Sequence, residues 1–225
     1  MTLVRLKRVG RTLQDYRLRF GSVAGFHYML FQLIRRHHIV RVGICTARSI
    51  DEALREGPRV ELSGFTARQL STEEVRACVA RGEEWFYPSD VEQSIARGDK
   101  CWGAFDGDVL VSSIWYAAEP LNQPGLNLQP PPDGIIGHRM ITRPDYHGRR
   151  ISELLEDTAL KEYWKSGIRW AFGTVFSTNY PSLASSRHRG GRWEGLIVQI
   201  GPDSWRCSWM PSFWEPHLHR VKPKS

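Results

Sequence analysis

Residues 135 to 163 constrain this chain more than any other stretch. Ile135 to Thr142 forms an extended apolar run, Pro144 ends it, and a short basic loop around Gly148 follows. Apolar residues then recur at helical spacing: Ile151, Leu154, Leu155, Ala159 and Tyr163. This reads as a strand that enters a helix through a glycine-containing turn. The first N–H groups of such a helix have no partners inside it, and the helix dipole adds partial positive charge at that end. Arg149 and Arg150 bring full charges to the same place. The segment therefore predicts an anion site, and a diphosphate suits it.

A second segment repeats the strand-then-helix pattern. Trp170 to Ser177 reads as a strand and Asn179 as a helix N-cap with Pro181 in the first turn, and Gly190-Gly191 follows. Together the two segments resemble the acyl-CoA-binding core of the GNAT acyltransferase superfamily. Pro144, Tyr146, Gly148, Ile151, Leu154 and Leu155 fit its loop-and-helix pattern, and Asn179, Ser182 and Gly190 follow in its order and spacing. His147 stands where the family has Arg or Gln, and Arg150 and Ser152 replace two loop glycines.

The resemblance covers residues 59 to about 210. It implies an α+β fold with a central mixed, mostly antiparallel sheet flanked by helices. It also implies acetyl-CoA or another acyl-CoA as co-substrate, with an acyl carrier protein as the other donor, and no metal. The diphosphate cradle would be His147, Gly148, Arg149, Arg150, Ile151 and Ser152, with Asn179 and Ser182 on the pantetheine arm. Backbone N–H groups from Met140, Ile141 and Thr142 would face the thioester carbonyl as charge builds on its oxygen. The implied reaction moves an acetyl or longer acyl group to an amine. An amino sugar, an amino acid and a membrane-linked precursor all remain open as acceptors.

That reaction needs a base to take a proton from the amine. Strand alternation would put residues 136, 138, 140 and 142 on one face, where His138 is the titratable group. Its ordinary pKa of about 6.5 suits a base at neutral pH. A histidine hydrogen-bonded within the core is the competing reading, and Glu119 and Asp133 are the reserves. The family often carries a Tyr acid on the second helix, and by spacing that position is Ser186. Two other functional classes compete: a catalytically silent binding module of the same fold, and a nucleic-acid-binding protein.

Charge is unevenly placed. The chain has 31 Lys and Arg against 24 Asp and Glu. Residues 1–50 hold ten of those bases against Asp15 alone, which leaves 21 bases and 23 acids for the remainder. A basic N-terminal arm, residues 1–50, is thus expected beside an acyltransferase-like domain, residues 51–225. Within the arm, Phe20 to Ile34 is mostly apolar with Phe26, Met29, Leu30, Leu33 and Ile34 at helical spacing. A spanning helix needs about twenty apolar residues, so this run is too short to cross a bilayer. It fits an interfacial helix on anionic lipid, or a helix docked on the core. Its apolar content argues against a phosphate-tracking arm, so no nucleic-acid partner is expected. Cys45, Cys78, Cys101 and Cys207 are scattered with no CxxC pair, which reads as reduced thiols of a cytoplasmic protein, peripheral at most to the inner face of the membrane.

The other elements follow from local signals. A strand is expected from His38 to Ala47, and another from Arg59 to Leu70 entering a helix with a Ser71–Glu74 capping box. Ser89 is expected to cap the next helix. Cys101 to Phe105 and Val109 to Ala117 should pair across a turn at Asp106-Gly107-Asp108. Leu121 to Pro132 reads as a Pro- and Asn-rich loop. Trp193 to Ile200 and Trp205 to Met210 should close the sheet, with Trp205, Trp209 and Trp214 packing a C-terminal hairpin.

Overall fold

The computed structural model describes residues 13–14, 16–35, 40–56, 62–83, 85–123, 126–200, 207–209 and 219–221. Trp205 and Trp214 lie outside them. Helix α1 (Ser22–Arg35) precedes β1 (Val40–Ser49) and α2 (Ile50–Arg55). Then come β2 (Phe65–Gln69), α3 (Thr72–Ala80), α4 (Pro88–Arg97), β3 (Lys100–Asp106), β4 (Val109–Ala117), β5 (Leu121–Gln123) and β6 (Leu126–Gln129). The chain continues through β7 (Gly134–Thr142), a 3-10 turn (Pro144–Tyr146), α5 (Ile151–Lys165), β8 (Trp170–Phe176), α6 (Tyr180–His188), β9 (Arg192–Ile200), β10 (Cys207–Trp209) and β11 (His219–Val221).

The main sheet runs β10-β9-β1-β8-β7-β4-β3-β2. Among the described residues only β7 and β8 pair in parallel; every other neighbouring pair of this sheet is antiparallel. This is the mixed, mostly antiparallel α+β sheet that the sequence suggests. β1 sits between β8 and β9. Residues 40–49, counted with the arm in the sequence, are thus part of the sheet interior.

Local chemistry explains most boundaries. Ser71 and Glu74 form a full capping box at α3, each side chain bonding the other's backbone N–H. The β3–β4 hairpin turns at Gly107, whose φ of 56° suits a residue without a side chain. At α4 the expected Ser89 cap is not used. Pro88 takes the first helical position, where a missing N–H costs nothing, and Tyr87 is the N-cap. Gly98, in the left-handed conformation, closes that helix. Leu121 to Pro132 is not a plain loop: β5 and β6 pair, and β11 adds to β6 as a third strand. The reason is burial, since Leu121 and Leu128 pack with Ile136 and Phe172 against the sheet.

The two faces of the sheet are covered differently. On one, α5 buries Ile151, Leu155, Ala159 and Leu160 against Trp102, Ile114, Tyr116, Ile135 and Ala171. On the other, α3 and α4 pack Val75, Cys78 and Val91 on Cys101, Leu110 and Trp115, and the β5–β6 hairpin covers Cys45, Ala47, Ile136 and Phe172. Cys45, Cys78 and Cys101 are buried free thiols, and burial pushes the Cys45 thiol up to about 12. The N-terminal helical residues dock on α6, where Tyr16 and Phe20 contact the Tyr180 ring.

Candidate active site

β7 and β8 pair only from Gly134↔Trp170 to Gly137↔Gly173. Beyond that point β8 stays with β1 out to Gly43↔Phe176, while β7 stays with β4 out to Ser112↔Thr142. The sheet therefore opens as a V. Gly137 marks the vertex: a Cβ there would sit 3.2 Å from the Tyr116 ring, so any side chain would press into the floor of the opening. The cleft that starts here has a volume of about 890 Å3 and extends to the N-terminus of α5 and along α6.

β7 also carries a β-bulge. Ser113 faces Ile141 and Trp115 faces His138, so two β7 residues, Arg139 and Met140, oppose one on β4. Arg139 takes a φ of 52° to make it, and its guanidinium bonds Asp90 O and Ser94 Oγ on α4. The bulge breaks the expected alternation of residues 136, 138, 140 and 142 onto one face. Ile136 and His138 face the α4 side, while the extra residue turns Met140 toward the α5 side, where it packs on the core. After the pairing ends, the β7 peptide groups on the β8 side face the open cleft with no strand opposite among the described residues.

His138 lines the cleft with its side chain 9% exposed, its ring stacked on Trp115. Its Nε2 lies 2.9 Å from Asp99 Oδ2, and Asp99, 1% exposed, also accepts from both ends of the Arg97 guanidinium. Burial would raise the Asp99 carboxyl, but the bonds from His138 and Arg97 outweigh it and hold the group below its usual value. An ionised carboxylate only accepts hydrogen bonds, so His138 Nε2 carries the proton and Nδ1 keeps its lone pair. Burial pushes the imidazole below its usual value, against the opposing pull of Asp99. The ring is therefore neutral at pH 7 and able to accept a proton.

The basic loop forms the far end of the cleft. Gly148 has a φ of 81° and Arg150, the N-cap of α5, a φ of 60°. Among the described residues Arg139 and Arg150 alone combine a side chain with positive φ, and both line this cleft. The loop is fixed by His147 Nε2 donating to Thr142 O at 2.8 Å and by Tyr146 Oη donating to Asp106 at 2.9 Å. Ile151 and Ser152 begin the helix, where their N–H groups have no acceptor within it, and both line the cleft. Arg150 lines it too, paired with Glu153 and within 3.3 Å of His188 Nε2. Arg149 instead lies 4.9 Å over the Tyr146 ring and is not on the cleft wall.

Of the residues expected from sequence, His138, Met140, Thr142, His147, Gly148, Arg150, Ile151, Ser152, Asn179, Ser182 and Ser186 all line this cleft. Ile141 does not; its carbonyl accepts from Ser112 Oγ. Asn179 caps α6 by accepting from Ser182 N. Glu119 and Asp133 are exposed and off the cleft. The sequence did not reveal Asp99, Trp115, Arg48, Glu156 or Arg189. For Asp99 one signal existed, a carboxylate directly after the helix-ending Gly98. Among the described residues no group of three His, Cys, Asp or Glu is placed to hold a metal ion.

No protein-family model and no curated protein matches the chain. Solved structures do. A tandem GNAT protein from the clavulanic acid biosynthesis pathway is 13% identical, with a TM-score of 0.50, over 83% of this chain and 55% of that one. A Novosphingobium aromaticivorans protein described as an acetyltransferase from the GNAT family is 14% identical, also at 0.50, over 71% of this chain and 62% of that one. A Drosophila protein is 18% identical at the same TM-score, over 80% of this chain and 58% of that one. The chain thus spans less than two thirds of the length of each of these proteins. It has the fold of the GNAT acyltransferases.

Proposed function

We propose that this protein transfers an acyl group from a CoA thioester to an amine. The observation that carries the reading is the splay of β7 from β8, which joins the α5 N-terminus to a neutral, carboxylate-oriented His138 in one cleft. The CoA diphosphate would accept from the Ile151 and Ser152 N–H groups and meet the Arg150 charge. The pantetheine arm would run past Asn179 and Ser182 to the vertex of the V. The unpaired β7 peptide groups would hold the thioester oxygen as the amine attacks the carbonyl carbon. His138 Nδ1 takes the amine proton as the C–N bond forms and the C–S bond breaks. A thiol has a pKa of about 8.5, so the departing sulfur needs little help, and Ser186 is assigned only as a hydrogen-bond donor to it.

The test is release of free thiol from acetyl-CoA with a panel of amines. His138→Gln should cut turnover by about 10²–10⁴-fold while CoA affinity, measured by calorimetry, holds. CoA binding with no transfer to any amine would favour the silent binding module.

The arm adds a location. Val23 is 82% exposed and Leu18 77%, and Phe26, Met29 and Leu30 share the exposed side of α1. Arg17 and Arg19 are exposed beside them, and Arg19 also lines the cleft. An anionic bilayer satisfies both the apolar stripe and the positive charge, whereas a second copy would bring like charges together. Arg48 is withdrawn from this surface, since it is buried against Glu156 and Asp157. Among the described residues no helix is long and apolar enough to cross a membrane. The full chain should sediment with phosphatidylglycerol vesicles and leave them as salt rises; retention on neutral phosphatidylcholine alone, or no sedimentation, would rule this out.

A further inference from the structure

The floor of the cleft holds a buried charge cluster that the acyl-transfer scheme leaves unused. Arg48 on β1 is 6% exposed, Arg189 just after α6 is 8% exposed, and Glu156 on α5 lies between them. Arg48 gives Nη1 to Glu156 at 3.1 Å and Nη2 to Asp157 at 3.2 Å. Arg189 Nε lies 3.1 Å from Glu156 Oε2, but off the line of a hydrogen bond. Among the described residues, Arg189 Nη1 and Arg48 Nε have no hydrogen-bond partner. Arg48, Arg189 and Glu156 all line the cleft, while Asp157 does not. This cluster therefore presents two guanidinium groups and one carboxylate to the cleft.

Buried charged donors left unmade are costly, and an apolar side chain of similar volume would fill the same space without that cost. A guanidinium with a free edge presents a fork that matches a carboxylate. We infer that the cleft floor is a carboxylate subsite, in which Arg189, held beside Arg48 by Glu156, receives a carboxylate carried by the substrates. The inference rests on the acyl-transfer reading for the identity of those substrates. The cluster lies on the α5 side of the sheet, with the anion loop, whereas His138 faces the α4 side. That position favours the acyl group as carrier, making the donor a dicarboxylic acyl-CoA. An acceptor amine bearing a carboxylate is the other source.

Three comparisons with the full chain test this. Succinate against its neutral diamide, by calorimetry, tests the subsite without CoA. Succinyl-CoA against acetyl-CoA tests the acyl group as source. L-alanine against L-alaninamide, on protein saturated with CoA, tests the acceptor. The carboxylate should bind about tenfold or more tightly than its neutral counterpart in the first comparison and in one of the other two. Arg189→Met should abolish that preference. If this variant does not fold, the wild-type comparisons still decide. Failure of CoA itself to bind would sink the acyl-transfer reading, and the succinate comparison would still judge the subsite. Equal binding of succinate and its diamide, or a preference that survives Arg189→Met, would overturn the inference.

Discussion

Asp99→Asn separates the orientation of His138 from its burial. In the native protein the carboxylate fixes the proton on Nε2 from 2.9 Å away and faces the positive charge that forms on the ring when Nδ1 takes a proton. With charge centres about 4 Å apart and an effective dielectric of about 20, that attraction is about 4 kcal/mol. Arg97 shares the same carboxylate and offsets part of it. A loss of about 3–4 kcal/mol remains, or about 10²–10³-fold in turnover. Asparagine can also turn its NH₂ toward Nε2, which would move the ring proton to Nδ1 and remove the base altogether. CoA affinity should be unchanged, because Asp99 is not on the anion loop. The pH profile gives a second reading. In the proposed role His138 acts as a base only when neutral, so the rate should rise with pH through its pKa. Asp99 pulls that pKa up against burial. Removing it should move the acid limb of kcat/KM to lower pH. A variant within about twofold of wild type, with an unmoved acid limb, would refute the role given to this pair.

His138 has a folded-state pKa below its unfolded value, so the unfolded chain binds more protons below about pH 6.5 and stability falls as pH drops through that region. In His138→Gln, chemical denaturation at pH 7 and pH 5 should show a smaller drop. Leu155, fully buried where α5 packs on the sheet, should cost about 2–5 kcal/mol on change to Ala, read as a lower denaturant midpoint. Ser71→Ala breaks the capping box of α3 and should cost about 1 kcal/mol by the same measurement.

The sequence made the architecture legible wherever local chemistry decides it. The β7–α5 and β8–α6 units, the Ser71 capping box and the Gly107 hairpin all follow from short-range signals: apolar period, capping residues, and a glycine where φ is positive. The β5–β6 hairpin was hidden because Pro and Asn read as loop, while the force that orders it is burial of Leu121 and Leu128 on a strand it meets only in the fold. The bulge at Arg139 was hidden for a related reason. Arg139 is not a glycine, and what holds its positive φ is a set of bonds to α4. His138 was visible as a titratable residue on a strand, but its partner Asp99 comes from a different helix end. The Arg48–Glu156–Arg189 cluster joins β1, α5 and the end of α6, so no spacing within any one segment could announce it.

In the proposed function the α5 N-terminus receives the CoA diphosphate. Calorimetric titration of the full chain with CoA and with pantetheine, which lacks the diphosphate, tests it most directly. Charge-assisted hydrogen bonds contribute about 1.5–3 kcal/mol each. Two such bonds, from Ile151 and Ser152, correspond to at least about 100-fold in affinity at 1.4 kcal/mol per tenfold. CoA should bind at least that much more tightly than pantetheine. Equal binding of the two, or no binding of CoA, would contradict it.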